Sequence, residues 1–474
     1  MTLRFLLICH RYLAVAVGLL MALWCLSGFV MMYQPYPQLT PDERVAALPP
    51  LQLDDCCRTD VLQFDGRPTG NFRIEMLGAR PVLRQPGAAP VDLISGQPLA
   101  GELSRDALQQ LAADYAVRRG ITGEPRWLGE VELDQWTLQT ARGNRPVHHY
   151  ALDDAAGTQI YLNGSSGEVF QDTSRRERIL TWLGAIPHWL YPTALRSNGR
   201  LWSRIVIWTS VIGCFLAATG LYVGIARFRR QPDGKLASPL RGWWYWHHIA
   251  GLIFGVLALT WVYSGLLTMN PWGWLEGGET GARLRPQLVG EPDARQLEAF
   301  LRGAPALLAP GEFTQLRAAP FGGSLFVLAR RADGTAVRLD ADARPAALTS
   351  ADVQRVFARV DTEVASLELL AAEDAYHYSH KGAAPLPVWR AVLADADRTR
   401  VYLDPASGDL RVVDRAAMKT RWLARGLHGL DLRGLRQRPL WDIVTLLLLA
   451  GVTVLCITGS WMAIQRVRRD FSRN

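Results

Sequence analysis

Four stretches of this chain carry no charged side chain for the length a bilayer demands: residues 12–33, 205–226, 249–269 and 443–464. Crossing about 30 Å of hydrocarbon takes about 20 predominantly apolar residues, and inside hydrocarbon a helix satisfies every backbone polar group within one segment. The four runs therefore predict four transmembrane helices, which with their flanks cover 5–33, 201–227, 244–269 and 439–465. The first run follows Arg4 as the core of a secretory leader would, but it is too long. Met31-Met32-Tyr33-Gln34-Pro35-Tyr36 also lacks a small-residue cleavage site, so this span reads as an uncleaved anchor.

Two long polar segments, 34–200 and 270–438, separate the spans, together with a short connection at 228–243 and a tail at 466–474. Two spans lie between the long segments, so both segments face one side, and the connection and both termini face the other. Arg227, Arg229, Arg230, Lys235 and Arg241 crowd in and around the short connection against Asp233, and Arg466, Arg468 and Arg469 follow the fourth span. Short basic loops stay cytoplasmic, whereas long segments obey the charge rule poorly, so Arg196, Arg200, Arg204, Arg433, Arg436 and Arg438 at the opposite ends weigh less. The expectation is a multi-pass membrane protein with both termini cytoplasmic and the large segments extracytoplasmic.

The six cysteines form no C-x-x-C pair and no C-x-x-C-H, which leaves a zinc ribbon, a thioredoxin-like pair and covalently attached haem unsupported. Cys9, Cys25, Cys214 and Cys456 fall in or beside the spans and read as small apolar packing. Cys56 and Cys57 are adjacent, and a disulfide from them is expected only to other partners in an oligomer.

The chain repeats itself. A slide of 237 places His10, Gly18, Trp24, Ser27 and Gly28 on His247, Gly255, Trp261, Ser264 and Gly265. A slide of 239 places Leu201-Trp202 and Thr219-Gly220 on Leu440-Trp441 and Thr458-Gly459, and a slide of 240 places Trp182 and His188 on Trp422 and His428. The polar segments repeat too, with Asp134-Gln135-Trp136 opposite Asp374-Ala375-Tyr376 and Arg145-Pro146-Val147 opposite Leu386-Pro387-Val388. Alternating apolar residues at 159–162 and 400–403, each followed by Asx, Ser and Gly, predict strands ending in tight loops. Residues 103–118 and 350–360 show helical spacing after Ser or Thr caps. The fold expected is an all-α four-helix membrane bundle carrying two α+β domains, with an internal two-fold repeat.

The repeat sorts the nine histidines. His10 pairs with His247 at the cytoplasmic ends of spans one and three, and His188 pairs with His428 near the outer ends of spans two and four. An axis along the membrane normal brings each pair face to face, which is how two imidazoles from two helices hold one haem iron. His10 lies 17 to 18 residues from Ser27-Gly28, about 25 Å along a helix, so two sites are expected, one near each membrane face. The expected cofactors are two non-covalent haems, each held by two histidines.

Gly18, Gly28, Gly251, Gly255 and Gly265 either admit a flat macrocycle or serve helix packing. Arg11, Arg425 and Arg433 are candidates to pair haem propionates. His248 is the alternative to His247, although the repeat register favours His247. His148 and His149 fall on an expected strand with a surface role. His377 and His380 would lie on a strand and point to opposite faces, so no shared ligand is expected. Trp243, Trp244 and Trp246 read as an interfacial aromatic belt.

His10-Arg11 at the start of span one, Asp134-Gln135-Trp136-Thr137, the two Tyr-Leu-Asx-x-x-Ser-Gly hairpins and His188-Trp189 ahead of span two resemble the PepSY-associated transmembrane family over essentially the whole chain. That resemblance implies PepSY-like periplasmic domains above a bundle that holds two haem b in a bacterial inner membrane. It also implies an oxidoreductase that reduces an iron(III)-siderophore or other ferric chelate and releases iron(II). It carries His10, His247, His188 and His428 over as haem ligands, with no further catalytic group. The donor stays open among a quinol, a cytoplasmic reductase such as a flavoprotein, and a partner subunit; membrane lipid is the surrounding partner, and no nucleic acid is expected.

Arg175, Arg176, Arg178, Arg196, Arg200, Arg421 and Arg425 either attract an anionic chelate, in keeping with the net charge of +8, or anchor at lipid phosphates. Two rivals come from other classes. A haem-free PepSY membrane module that regulates or inhibits proteases needs no paired histidines. A transporter usually carries broken helices and polar groups at the midplane, where this chain has chiefly Thr209, Ser210 and Thr260.

Overall fold

The computed structural model describes residues 3–54, 56–57, 69–230, 232, 234–277, 280–380 and 382–472. Asp233 of the basic connection and residues 473–474 of the expected tail lie outside the described residues. The chain forms two compact units: Met1–Tyr36 with Arg176–Glu276 and Ala416–Asn474, and Pro37–Arg175 with Gly277–Arg415.

In the first unit four helices are long and apolar enough to cross a membrane: Leu3–Met31, Gly199–Ala226, Trp243–Thr268 and Leu440–Phe471. The first and third helices each pack against the second and the fourth. Small residues bring the helices close: a side chain at Gly18 would meet the Ser460 hydroxyl, and one at Gly213 would meet Met21 and Val262. Leu19, Phe215, Ile253 and Leu447 remain exposed, which hydrocarbon around the helices accounts for and water does not. Asn198 starts the second helix by accepting the Leu201 N–H. The fourth helix runs past the expected end at 465, and Arg468 and Arg469 in its last turn suit the negative end of the helix dipole. The connection closes as a short hairpin, Arg229–Arg230 against Leu236–Ala237, and Trp243, Trp244 and Trp246 are exposed at the start of the third helix.

In the second unit the two long segments share a sheet. Six antiparallel strands run in the order Ala336–Leu339, Val327–Arg330, Gln315–Ala318, Arg73–Leu77, Arg80–Arg84, Val91–Asp92. The junction pairs Arg73 with Arg317 and Ile74 with Leu316, so three strands of each segment bury one core. Ile74, Leu83, Phe300, Leu316 and Val327 lie in it, and none is more than 2 % exposed. At its edge Glu75 is buried and accepts from Arg44 and Gln315, while Arg44 and Arg73 also reach Glu168.

Each segment also carries a four-stranded antiparallel sheet: Arg126–Val131, Val147–Ala151, Gln159–Asn163 and Val169–Thr173 in one, Val364–Leu370, Val388–Leu393, Arg400–Leu403 and Leu410–Val413 in the other. Helix Arg105–Arg118, capped by Ser104, covers the first with Leu108, Ala112 and Tyr115, and helix Ser350–Phe357, with a Thr349–Asp352 capping box, covers the second with Val353 and Phe357. Residues that the repeat matches play the same parts in both. Asp134 accepts the Tyr161 hydroxyl at 2.6 Å and Asp374 the Tyr402 hydroxyl at 2.7 Å. Arg145-Pro146 and Leu386-Pro387 are both cis.

Several expectations need correction: the two long segments share one sheet, and His148, expected in a surface role, is buried. Residues 377–380 are not a strand, because Asp374 Oδ1 accepts the backbone N–H groups of Tyr376 and His377 and bends the chain there. Cys56 and Cys57 are bonded to each other, so they hold no other partner.

Candidate functional site

The first unit brings the four repeat-related histidines into two facing pairs. His188 lies on the short helix Ala185–Trp189, which Leu190 ends in the left-handed region with φ of 51°, and the Trp202 indole donates to the Trp189 carbonyl at 2.8 Å. His428 lies in the turn Leu427–Gly429, ended by Leu430 with φ of 49°, and the Trp441 indole donates to the Gly429 carbonyl at 2.8 Å. Each histidine is thus held by a chain reversal tied to the long helix that follows it. The two rings lie opposite each other edge-on, with centroids 6.1 Å apart and their planes inclined by 68°.

Their Nδ1 groups are spoken for in the same way. His188 Nδ1 donates to the Trp24 carbonyl at 3.1 Å with the Ser27 hydroxyl at 3.2 Å, and His428 Nδ1 to the Trp261 carbonyl at 3.2 Å with the Ser264 hydroxyl at 3.2 Å. A carbonyl accepts only from N–H, which fixes the tautomer and leaves each Nε2 with a free lone pair.

At the other end of the long helices the centroids of His10 and His247 lie 6.5 Å apart. His10 Nδ1 donates to the Leu216 carbonyl at 3.1 Å, and His247 Nδ1 to the Thr458 hydroxyl at 3.2 Å, which itself donates to the Val454 carbonyl. Gly220 and Gly459 make room for these rings: a Cβ there would stand 2.6 Å from His10 Cε1 and 2.9 Å from His247 Cε1. The pair lines a cavity walled by Gly18, Gly220, Gly251, Gly255 and Gly459, with Arg11, Arg227 and Arg466 also on its lining.

His248 is engaged at both nitrogens, Nε2 donating to the Gly224 carbonyl at 2.7 Å and Nδ1 accepting from the Ser238 hydroxyl at 2.8 Å. It has no lone pair left for a metal and instead ties the connection to the second helix. Arg425 and Arg433 are exposed. In the second unit His148 Nε2 donates to Glu102, His149 stacks on Tyr161, and His377 stacks on Tyr402 and donates to the Pro385 carbonyl.

These residues fit a haem. Two metal–imidazole bonds of about 2 Å, with the rings' own radii, span roughly 6 Å between centroids. Both pairs show that span with Nε2 free, and a cavity lined by several glycines adjoins His10 and His247. Ser27, Ser264 and Thr458 escaped assignment from sequence, although the slides of 237 and 239 already match each residue or its neighbour. Arg227 and Arg466 fall on each other under the slide of 239 as well.

No curated protein matches the chain. A family model for the PepSY-associated TM region matches residues 7–466. With four helices long and apolar enough to cross a bilayer, this is a membrane protein, and it belongs to the PepSY-associated TM region family.

Proposed function

We propose that the chain is a di-haem b-type reductase of a bacterial inner membrane, built as a duplicated helix–segment–helix unit. In this reading it passes electrons from the cytoplasmic side to a periplasmic iron(III)-siderophore or related ferric chelate. The observation that carries the reading is the recurrence of one arrangement at both ends of the same helices: two imidazoles facing each other, each oriented through Nδ1 and free at Nε2.

His10 and His247 hold the inner haem, and His188 and His428 the outer one. A bound haem supplies iron that gains and loses one electron without making or breaking a bond to the substrate. The protein's part is to fix four imidazoles, to raise their basicity through the Trp24, Trp261 and Leu216 carbonyls and the Thr458 hydroxyl, and to shut water out with the apolar helix faces. The substrate chemistry is one-electron: the chelate's iron(III) becomes iron(II), which hard oxygen ligands hold far less tightly, so no acid, base or nucleophile is required. A quinol or a cytoplasmic reductase is the donor class.

His188→Ala and His428→Ala each remove one ligand of the outer pair, and each lowers haem from two to one per chain by pyridine haemochrome assay. Unchanged content in both variants contradicts the pairing. Dithionite-reduced protein, freed of excess reductant and mixed anaerobically with a ferric hydroxamate, reoxidises while a chromogenic chelator traps iron(II). Protein that stays reduced overturns the substrate class and leaves the haem assignment standing.

A further inference from the structure

We infer that Arg227 and Arg466 form a matched carboxylate clamp that seats the inner haem with its acidic edge toward the cytoplasmic connection. The inference rests on the haem reading above and adds what orients the group in its cavity. Three arginines, Arg11, Arg227 and Arg466, line the cavity beside His10 and His247, and among the described residues no Asp or Glu lines it. Its other walls are largely glycine and aliphatic. Cationic side chains on the lining of an otherwise largely apolar cavity are complementary to an amphiphile with an anionic edge.

Position singles out two of the three. Arg227 follows Gly220 by seven residues, and Arg466 follows Gly459 by seven. Seven residues are nearly two helical turns, so each arginine stands on the face whose glycine meets a histidine ring, about 10 Å further toward the connection. Both are half-buried, and they are equivalent under the slide of 239, as are Leu216 with Leu455 and Gly220 with Gly459 on the same cavity wall. Arg11 is exposed, and its repeat equivalent is His248, which is engaged at both nitrogens. The matched pair is therefore Arg227 and Arg466.

Arginines at the ends of long helices also offset the helix dipole or meet lipid phosphates, and those roles do not depend on carboxylates of a bound group. The test separates them. Full-length protein carrying His188→Ala, so that only the inner site loads, is prepared free of haem and titrated with protohaem and with its dimethyl ester. Arg227→Gln and Arg466→Gln are each expected to weaken protohaem binding about tenfold, as loss of a charge-assisted hydrogen bond does. The ester should bind all variants alike, and Arg227→Lys should recover part of the acid's advantage. The midpoint potential should fall in the Gln variants loaded with protohaem and stay level with the ester. Equal weakening of acid and ester, or no weakening of either as lipid anchoring predicts, overturns the clamp alone. A parent protein that takes up neither overturns the haem reading and the clamp with it.

Discussion

Gly220 and Gly459 stand where any side chain would take the space of an imidazole. Gly220→Ala places a methyl group against His10 and Gly459→Ala places one against His247. Either change is expected to empty the inner site and leave the outer one, one haem per chain instead of two; retention of both haems would contradict the geometry. His248→Ala is expected to leave haem content at two while lowering stability by about 1–3 kcal/mol, because the Gly224 carbonyl and Ser238 hydroxyl lose their partner. Loss of a haem in this variant would return His248 to the ligand set. The histidine pairs were legible in the sequence because corresponding residues of a duplicated chain recur at matched positions. The Nδ1 acceptors were not, since they lie on neighbouring helices and sequence does not state which helix neighbours which. Arg425 and Arg433 drew attention as arginines near histidines in sequence, yet both are exposed, whereas Arg227 and Arg466 reach the cavity through helix periodicity.

The strand-to-turn junctions of the polar segments depend on two carboxylates, Asp374 and Glu168. Asp374 is partly buried, which opposes its ionisation, but the N–H groups of His377 and Tyr376, the Tyr402 hydroxyl and Arg390 hold its carboxyl below the usual range. Burial likewise opposes ionisation of Glu168, and Arg84, Arg73 and Arg44 outweigh it. Carboxylates with depressed values lend stability that is present above the ordinary range near pH 4 and is lost as pH falls below it through the folded-state values. Thermal melts followed in the strand circular dichroism band should therefore drop steeply below about pH 4. Asp374→Asn should flatten part of that drop, and an unchanged profile would contradict the assignment. The hairpins and capped helices were legible because their signals are local. The bend at 377–380 was missed because it is made by a side chain outside it, the Asp374 carboxylate, which captures backbone N–H groups two and three residues on.

Across the whole molecule, antiparallel pairing of Arg73–Leu77 with Gln315–Ala318 joins segments separated by two long helices in sequence. Nothing local announces that pairing, and the sequence reading accordingly kept the segments apart. Leu316→Pro removes the backbone donor opposite Ile74, and hydrogen exchange should then show both strands losing protection together. Protection retained in Arg73–Leu77 would mean that the segments are stable separately. The central claim, that the two facing histidine pairs each hold a haem, is tested most directly by the visible spectrum of detergent-purified protein, oxidised and then dithionite-reduced, with haem counted per chain. Sharp low-spin b-type bands at about two haems per chain are the predicted result. A colourless protein from cells supplied with haem would contradict it and leave a membrane-anchored PepSY module without a redox centre.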